Sequence, residues 1–152
     1  MEQLVALAAS LAGRVYPPGA PYPVEREKVR EFARAVGELH PLCHDPEAAR
    51  AAGHPDVLAP PTFLCAPAHR AADRAVFDPE VGLDYDRVVH RDQRFVLHRP
   101  VHAGDRLLLT VHIDAVRSVA GTDVLELRTE VSAADGGTPV ATVFMSLAAR
   151  AA

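Results

Sequence analysis

The sequence predicts an α+β fold in which a curved antiparallel sheet wraps around a central helix. Three observations lead there. The stretch from Val57 to Phe77 is almost wholly apolar, its first charge being Arg70; the second half alternates apolar and polar residues; and short turn signals separate the alternating runs. A helix apolar on every face has to be covered by the rest of the chain or by a second subunit. Short connections make the strands antiparallel neighbours, and one apolar sheet face beside one apolar helix suggests wrapping.

Taken in order, the run from Leu4 to Ala12 is apolar apart from Ser10 and predicts a short helix stopped by Gly13. It is too short to cross a bilayer, and Glu2 stands ahead of it instead of basic residues. Tyr16 to Pro23 reads Tyr-Pro-Pro-Gly-Ala-Pro-Tyr-Pro, an extended connector. From Glu25 to Val36 the residues Val29, Phe32, Ala33 and Val36 fall on one helical face, and Gly37 ends it. On the solvent side Glu25/Lys28, Glu27/Arg30 and Glu31/Arg34 are paired at i,i+3, each contributing about 0.2–0.5 kcal/mol. Asp45 is an N-cap with Pro46 at the first helical position, and Gly53 closes a two-turn helix. The pattern then predicts one helix over Val57–Phe77, either kinked at Pro67, the favoured reading, or with its regular part beginning near Pro67.

Beyond it, Gln93, Phe95 and Leu97 alternate, as do Leu107 to Ala115, Leu125 to Val131 and Ala141 to Leu147, predicting three long strands preceded by a shorter one. Ala103-Gly104-Asp105, Ala120-Gly121-Thr122 and Asp135-Gly136-Gly137 are the turns.

The chain length of 152 residues is that of a single domain, residues 1–152, able to bury one core. Its 16 basic and 20 acidic residues are interspersed, for a net charge of -4, which disfavours nucleic acid as a partner. Cys43 and Cys65 belong to no Cys-x-x-Cys or zinc-like spacing and read as reduced, cytoplasmic thiols. No His/carboxylate grouping has metal spacing, so neither metal nor cofactor is expected, and no membrane association.

Gly37-Glu38-Leu39-His40-Pro41-Leu42-Cys43-His44-Asp45-Pro46-Glu47-Ala48-Ala49 resembles the signature Gly-Asp-x-Asn-Pro-Leu-His-x-Asp-Pro-x-x-Ala of MaoC-like (R)-specific enoyl thioester hydratases and dehydratases. His90-Arg91-Asp92-Gln93-Arg94-Phe95, with Arg99-Pro100-Val101 and Gly104-Asp105, resembles a strand-and-turn pattern of the same family. Gly53-His54-Pro55-Asp56-Val57 through Pro60-Pro61-Thr62-Phe63 is similar to the N-terminal MaoC-like domain of actinobacterial fatty-acid and mycolic-acid dehydratase subunits. The resemblance runs from about Gly13 to Arg150 and implies the hot-dog fold, in agreement with the periodicity.

The family's chemistry, as the resemblance implies it, uses an aspartate and a histidine around one water, with N–H donors for the charge developing on the thioester oxygen. This chain departs at each part. Glu38 stands for the aspartate, its extra methylene displacing the carboxylate; Cys43 stands for the histidine; and His40 replaces the asparagine. A thiol with the ordinary pKa of about 8.5 is a poor proton shuttle near neutrality. Where relatives have a glycine N–H at the central helix start, this chain has Pro61, which has none. Such groups act together, so three losses argue against a self-sufficient active site.

His44, one position past the family histidine, reads as a solvated loop residue, with a relocated base as the rival. His40 reads as a hydrogen-bonder that orders the loop, and His98, His102 and His112 as surface residues. His90 is open between a substrate or subunit contact and a structural hydrogen bond. The resemblance puts Pro61, Thr62, Phe63, His90 and Phe95 at the substrate; Phe63, Leu64, Phe95 and Leu97 are core residues by periodicity, with the lining of an acyl tunnel as their rival reading. The expected function is a substrate-binding, non-catalytic subunit of an (R)-3-hydroxyacyl thioester dehydratase. Its substrate would be carried on coenzyme A or acyl carrier protein, and it would pair with a catalytic hot-dog subunit or, in isolation, with itself. A hot-dog thioesterase and a non-enzymatic acyl-binding homodimer are the rival readings.

Overall fold

The computed structural model describes residues 9–150. A single 3-10 turn spans Ala9–Leu11; the earlier part of the predicted N-terminal helix lies outside the described residues. Next come β1 (Val15–Tyr16), β2 (Tyr22–Pro23), α1 (Arg26–Ala35), α2 (Pro46–Ala51) and α3 (Cys65–Val76). Four long strands complete the chain: β3 (Val88–Leu97), β4 (Arg106–Val119), β5 (Thr122–Ala133) and β6 (Pro139–Arg150). All pairings are antiparallel, in the order β1-β4-β5-β6-β3, with β2 also on β4.

The sheet curves because its ladders slip. Register shifts fall between His90 and Asp92, between Ile113 and Ala115, and between Val131 and Ser132, and each extra residue bends its strand and increases the twist. The concave face takes α3. Ala68, Ala72 and Ala75 are all buried on the helix side, and such small side chains let its backbone approach closely. Buried residues form two clusters. Val29, Phe63, Leu64, Leu107 and Val140 belong to the first, and Ala72, Val76, Ile113, Leu125 and Leu147 to the second. Burying one side chain as fully as Leu64 contributes about 1.5–3 kcal/mol.

Three expectations require correction, and a fourth holds with an addition. The kinked helix over Val57–Phe77 is not found: the regular helix begins at Cys65, two residues before Pro67, in line with the alternative reading of that proline. Pro60 and Pro61 hold the preceding chain extended or in turns, and Pro67 is the third helical residue, where no intrahelical N–H bond is lost. Nor is α3 covered all round. Ala66, Arg70, Asp73 and Arg74 leave one face exposed, because the polar residues of its later turns fall together. The connector Tyr16–Pro23 is extended as expected, but it is also anchored at both ends as β1 and β2, with Val15 opposite His112 and Tyr22 opposite Leu107. Finally, Glu25–Lys28 (3.7 Å) and Glu27–Arg30 are ion pairs, whereas Glu31–Arg34 is not found among the described residues.

The caps and turns follow the sequence. Asp45 Oδ1 accepts the Glu47 N–H at 2.9 Å and starts α2. Gly37, at φ +75°, reverses the chain after α1. No helix among the described residues is long and apolar enough to cross a membrane.

Candidate functional site

The loop after α1 carries the residues singled out in the sequence, and hydrogen bonds fix nearly all of them. Glu38 Oε1 accepts the His40 N–H at 2.8 Å. His40 Nδ1 in turn accepts the Leu42 N–H at 3.3 Å, capping the 3-10 turn Pro41–Cys43 as expected of a loop-ordering residue. His44 Nε2 lies 2.6 Å from the Glu38 carbonyl; since a carbonyl only accepts, Nε2 carries the proton. The His44 carbonyl takes a bond from Arg30 Nε at 2.8 Å. His44 is therefore half-buried and tied at both ends instead of being freely solvated.

Cys43 is buried, and burial, followed by the charge of Glu38, pushes its thiol pKa up. A thiol held protonated in this way cannot take a proton from water near neutrality. The loop joins the central segment through the Leu58 N–H, which donates to the Leu42 carbonyl at 2.8 Å.

At the start of α3, Pro61 and Thr62 are exposed while Phe63 is buried, its ring 5.6 Å from that of Phe32 in an edge arrangement. The Phe63 and Cys65 N–H groups are engaged by the Pro60 and Thr62 carbonyls, each at 2.9 Å. Beside Pro61 lies a cavity of about 370 Å³ lined by Leu58, Ala59, Leu64, Leu97 and Val101, with His98 and Arg99 at its polar side. Apolar walls with few polar groups suit a hydrocarbon chain. Of the residues the resemblance puts at the substrate, only Pro61 lines it. Phe95 packs partly buried against the first core cluster.

His90 lies elsewhere. Its Nδ1 is 3.2 Å from His69 Nε2 and its Nε2 is 3.0 Å from the Asp92 carbonyl, and both histidines line a separate cavity of about 290 Å³ floored by Val76, Met145 and Leu147. His69 Nδ1 is also 2.9 Å from the Cys65 carbonyl. His69 went unnoticed in the sequence, although its i,i+4 spacing from Cys65 on a helix was visible there.

Two histidines expected at the surface are not there. His102 Nε2 sits 3.0 Å from His54 Nδ1, the rings 5.1 Å apart, and burial lowers the His102 pKa. His112 is largely covered within the sheet, 3.4 Å from Glu130, because β4 is flanked on both sides. The turn ahead of β4 is locked by Asp105, whose carboxylate accepts both Arg99 Nη1 (2.9 Å) and Nη2 (3.0 Å) and the His102 N–H (2.9 Å). Arg99 and Asp105 are two residues of the resemblance pattern; here Arg99 lines the apolar cavity and Asp105 holds it. Among the described residues no group of three His, Cys, Asp or Glu is arranged to hold a metal ion.

Residues 10–143 match the family described as FAS1-like, dehydratase domain region. The chain belongs to this FAS1-like dehydratase family. Among its relatives is a UPF0336 protein of Streptomyces coelicolor, 55% identical over 148 residues and covering 97% of this chain and 98% of that one. Solved structures similar to this FAS1-like dehydratase chain are MaoC-like dehydratases with the hot-dog fold. A MaoC-like dehydratase superposes with a TM-score of 0.85 at 34% identity, covering 94% of this chain and 43% of its own longer chain. The C-terminally truncated HadBC (3R-hydroxyacyl-ACP dehydratase) complex of Mycobacterium tuberculosis gives 0.81 at 33% identity, over 91% of this chain and 96% of that one.

Proposed function

We propose that this FAS1-like dehydratase chain is the substrate-holding, non-catalytic subunit of a (3R)-hydroxyacyl thioester dehydratase, completed by a second hot-dog subunit that carries the acid and base. One observation carries the reading: every group at the catalytic positions is either committed to the fold or of the wrong kind. The Glu38 carboxylate accepts a backbone N–H, Cys43 is a buried protonated thiol, and Pro61 has no N–H to offer an oxyanion. Beside them stands an apolar cavity of about 370 Å³ for an acyl chain.

The open edge of β3 supports the partner. Among the described residues β3 pairs only with β6, and Val89 (62%), Val96 (38%) and Leu97 (41%) on it are exposed. Such an edge invites a second sheet. The HadBC structure, a complex named as a 3R-hydroxyacyl-ACP dehydratase, is consistent with this arrangement.

The test is hydration of an enoyl thioester by the purified chain, alone and after addition of a hot-dog subunit with an intact Asp/His site. Activity is expected only in the mixture, with acyl-chain preference changed by enlarging Ala59. Robust turnover by the chain alone defeats the proposal. Release of free thiol instead of hydration would favour the thioesterase reading.

A further inference from the structure

The proline-rich connector has a second consequence. Between its two anchoring pairs it arches away from the sheet and roofs a cleft of about 380 Å³ against α3 and α1. Every formally charged side chain lining this cleft is cationic: Lys28 from α1, and Arg70 and Arg74 from α3. Among the described residues no carboxylate lines it, in a chain whose net charge is -4. The charge is thus concentrated locally, not a reflection of composition.

The three cations are not equally free. Arg74 donates to the Pro17 carbonyl, and its guanidinium lies 6.0 Å from the Tyr16 ring. The Lys28 ammonium sits 4.8 Å from the Tyr22 ring and 3.7 Å from the Glu25 carboxylate, which lies outside the cleft. Arg70, exposed, has no hydrogen bond or ion pair among the described residues. Arg70 and Arg74 are one helical turn apart, so their guanidinium groups project side by side. Planar guanidinium forks match the oxygens of a phosphoryl group, and a fixed lysine adds a point charge. The remaining lining is apolar: Pro67, Leu109 and Val111. Prolines in the roof fix its backbone, so little entropy is lost when something enters.

We propose that this cleft binds the phosphoryl group of a small organic phosphate, with Arg70 as the principal free contact and the ligand's apolar part on Pro67, Leu109 and Val111. The inference is independent of the acyl-thioester reading, since the cleft shares no residue with the cavity beside Pro61.

Isothermal titration calorimetry with hexyl phosphate and with inorganic phosphate tests it. The chain also has no tryptophan, and two of its three tyrosines line the cleft, so tyrosine fluorescence reports occupancy at the site. Hexyl phosphate is expected to bind saturably and more tightly than inorganic phosphate. Arg70→Glu should weaken it at least tenfold and Arg70→Lys only a few-fold, with unchanged circular dichroism. Arg117→Glu, an equal change of charge at an exposed site on β4, should leave binding as it was. The proposal is overturned if neither probe saturates, if inorganic phosphate binds as tightly as hexyl phosphate, or if R117E weakens binding as much as R70E.

Discussion

The carboxylate of Glu38 accepts the backbone N–H of His40 at 2.8 Å, so the side chain in the place of a catalytic aspartate holds its own loop. On the proposed reading, replacing it removes a cap-like bond and no chemistry. In the complex with a competent partner, Glu38→Ala is expected to change the hydration rate by less than about threefold while lowering the thermal midpoint of the isolated chain. A loss of about a hundredfold or more would identify Glu38 as a working acid/base.

The His54–His102 contact makes stability depend on pH near neutrality. Burial, opposed by Asp105 and reinforced by His54 and Arg99, lowers the His102 pKa below its ordinary value of 6.5. The unfolded chain therefore binds the proton first, so stability is full above 6.5 and declines as the pH falls through it. Urea unfolding at a series of pH values should show this slope, and His102→Gln should flatten it.

A second acid-sensitive contact is Arg26–Asp56, bidentate at 3.0 and 2.7 Å. The hydrogen bond from Arg26, helped by the Val57 N–H and opposed by partial burial, lowers the Asp56 pKa from 3.8 to about 2. A depressed carboxyl stabilises the fold above its unfolded value, and that contribution is lost as the pH falls from 3.8 towards about 2. Asp56→Asn should be less stable than the natural chain at neutral pH, the difference closing in acid.

The turn between β4 and β5 stores strain. Ala120 has φ +49° and Gly121 φ +74°, a two-residue reversal whose first position suits asparagine or glycine better than alanine. Ala120→Asn should raise unfolding free energy by about 0.5–1 kcal/mol, and Gly121→Ala should lower it although nothing lies within 4 Å of a Cβ there. Equilibrium denaturation measures both.

Lysines at Val89 and Val96 should separate assembly from folding. The double substitution puts charge on an exposed edge, where it blocks strand addition at little cost to the monomer, about 0.5 kcal/mol or less. Sedimentation should show association with the partner weakened at least tenfold while the melting curve holds. Preserved association would place the interface elsewhere.

Much of this was legible from local pattern. Alternation located β4, β5 and β6, and Asp45-Pro46, Gly37 and Ala120-Gly121 marked boundaries that rest on backbone geometry alone. The start of α3 was misplaced because Val57–Leu64 is as apolar as the helix, and hydrophobicity does not separate a buried extended segment from a buried helix. The histidine pairs were illegible for another reason. His54 meets His102 across 48 positions and His69 meets His90 across 21, and only the folded chain brings them together. The basic cleft likewise joins Lys28 to Arg70 through a strap whose path no periodicity encodes.

The strap also makes the two margins of the sheet unequal. β1 and β2, each two residues long, pair with Val111–His112 and Arg106–Leu107 on the outer side of β4 and interrupt the first half of that edge as a strip for another strand. The opposite margin, β3, is ten residues long and has no second neighbour among the described residues. In the proposed assembly two such margins meet and use each other up, so pairing along β3 would give a closed pair and not a filament.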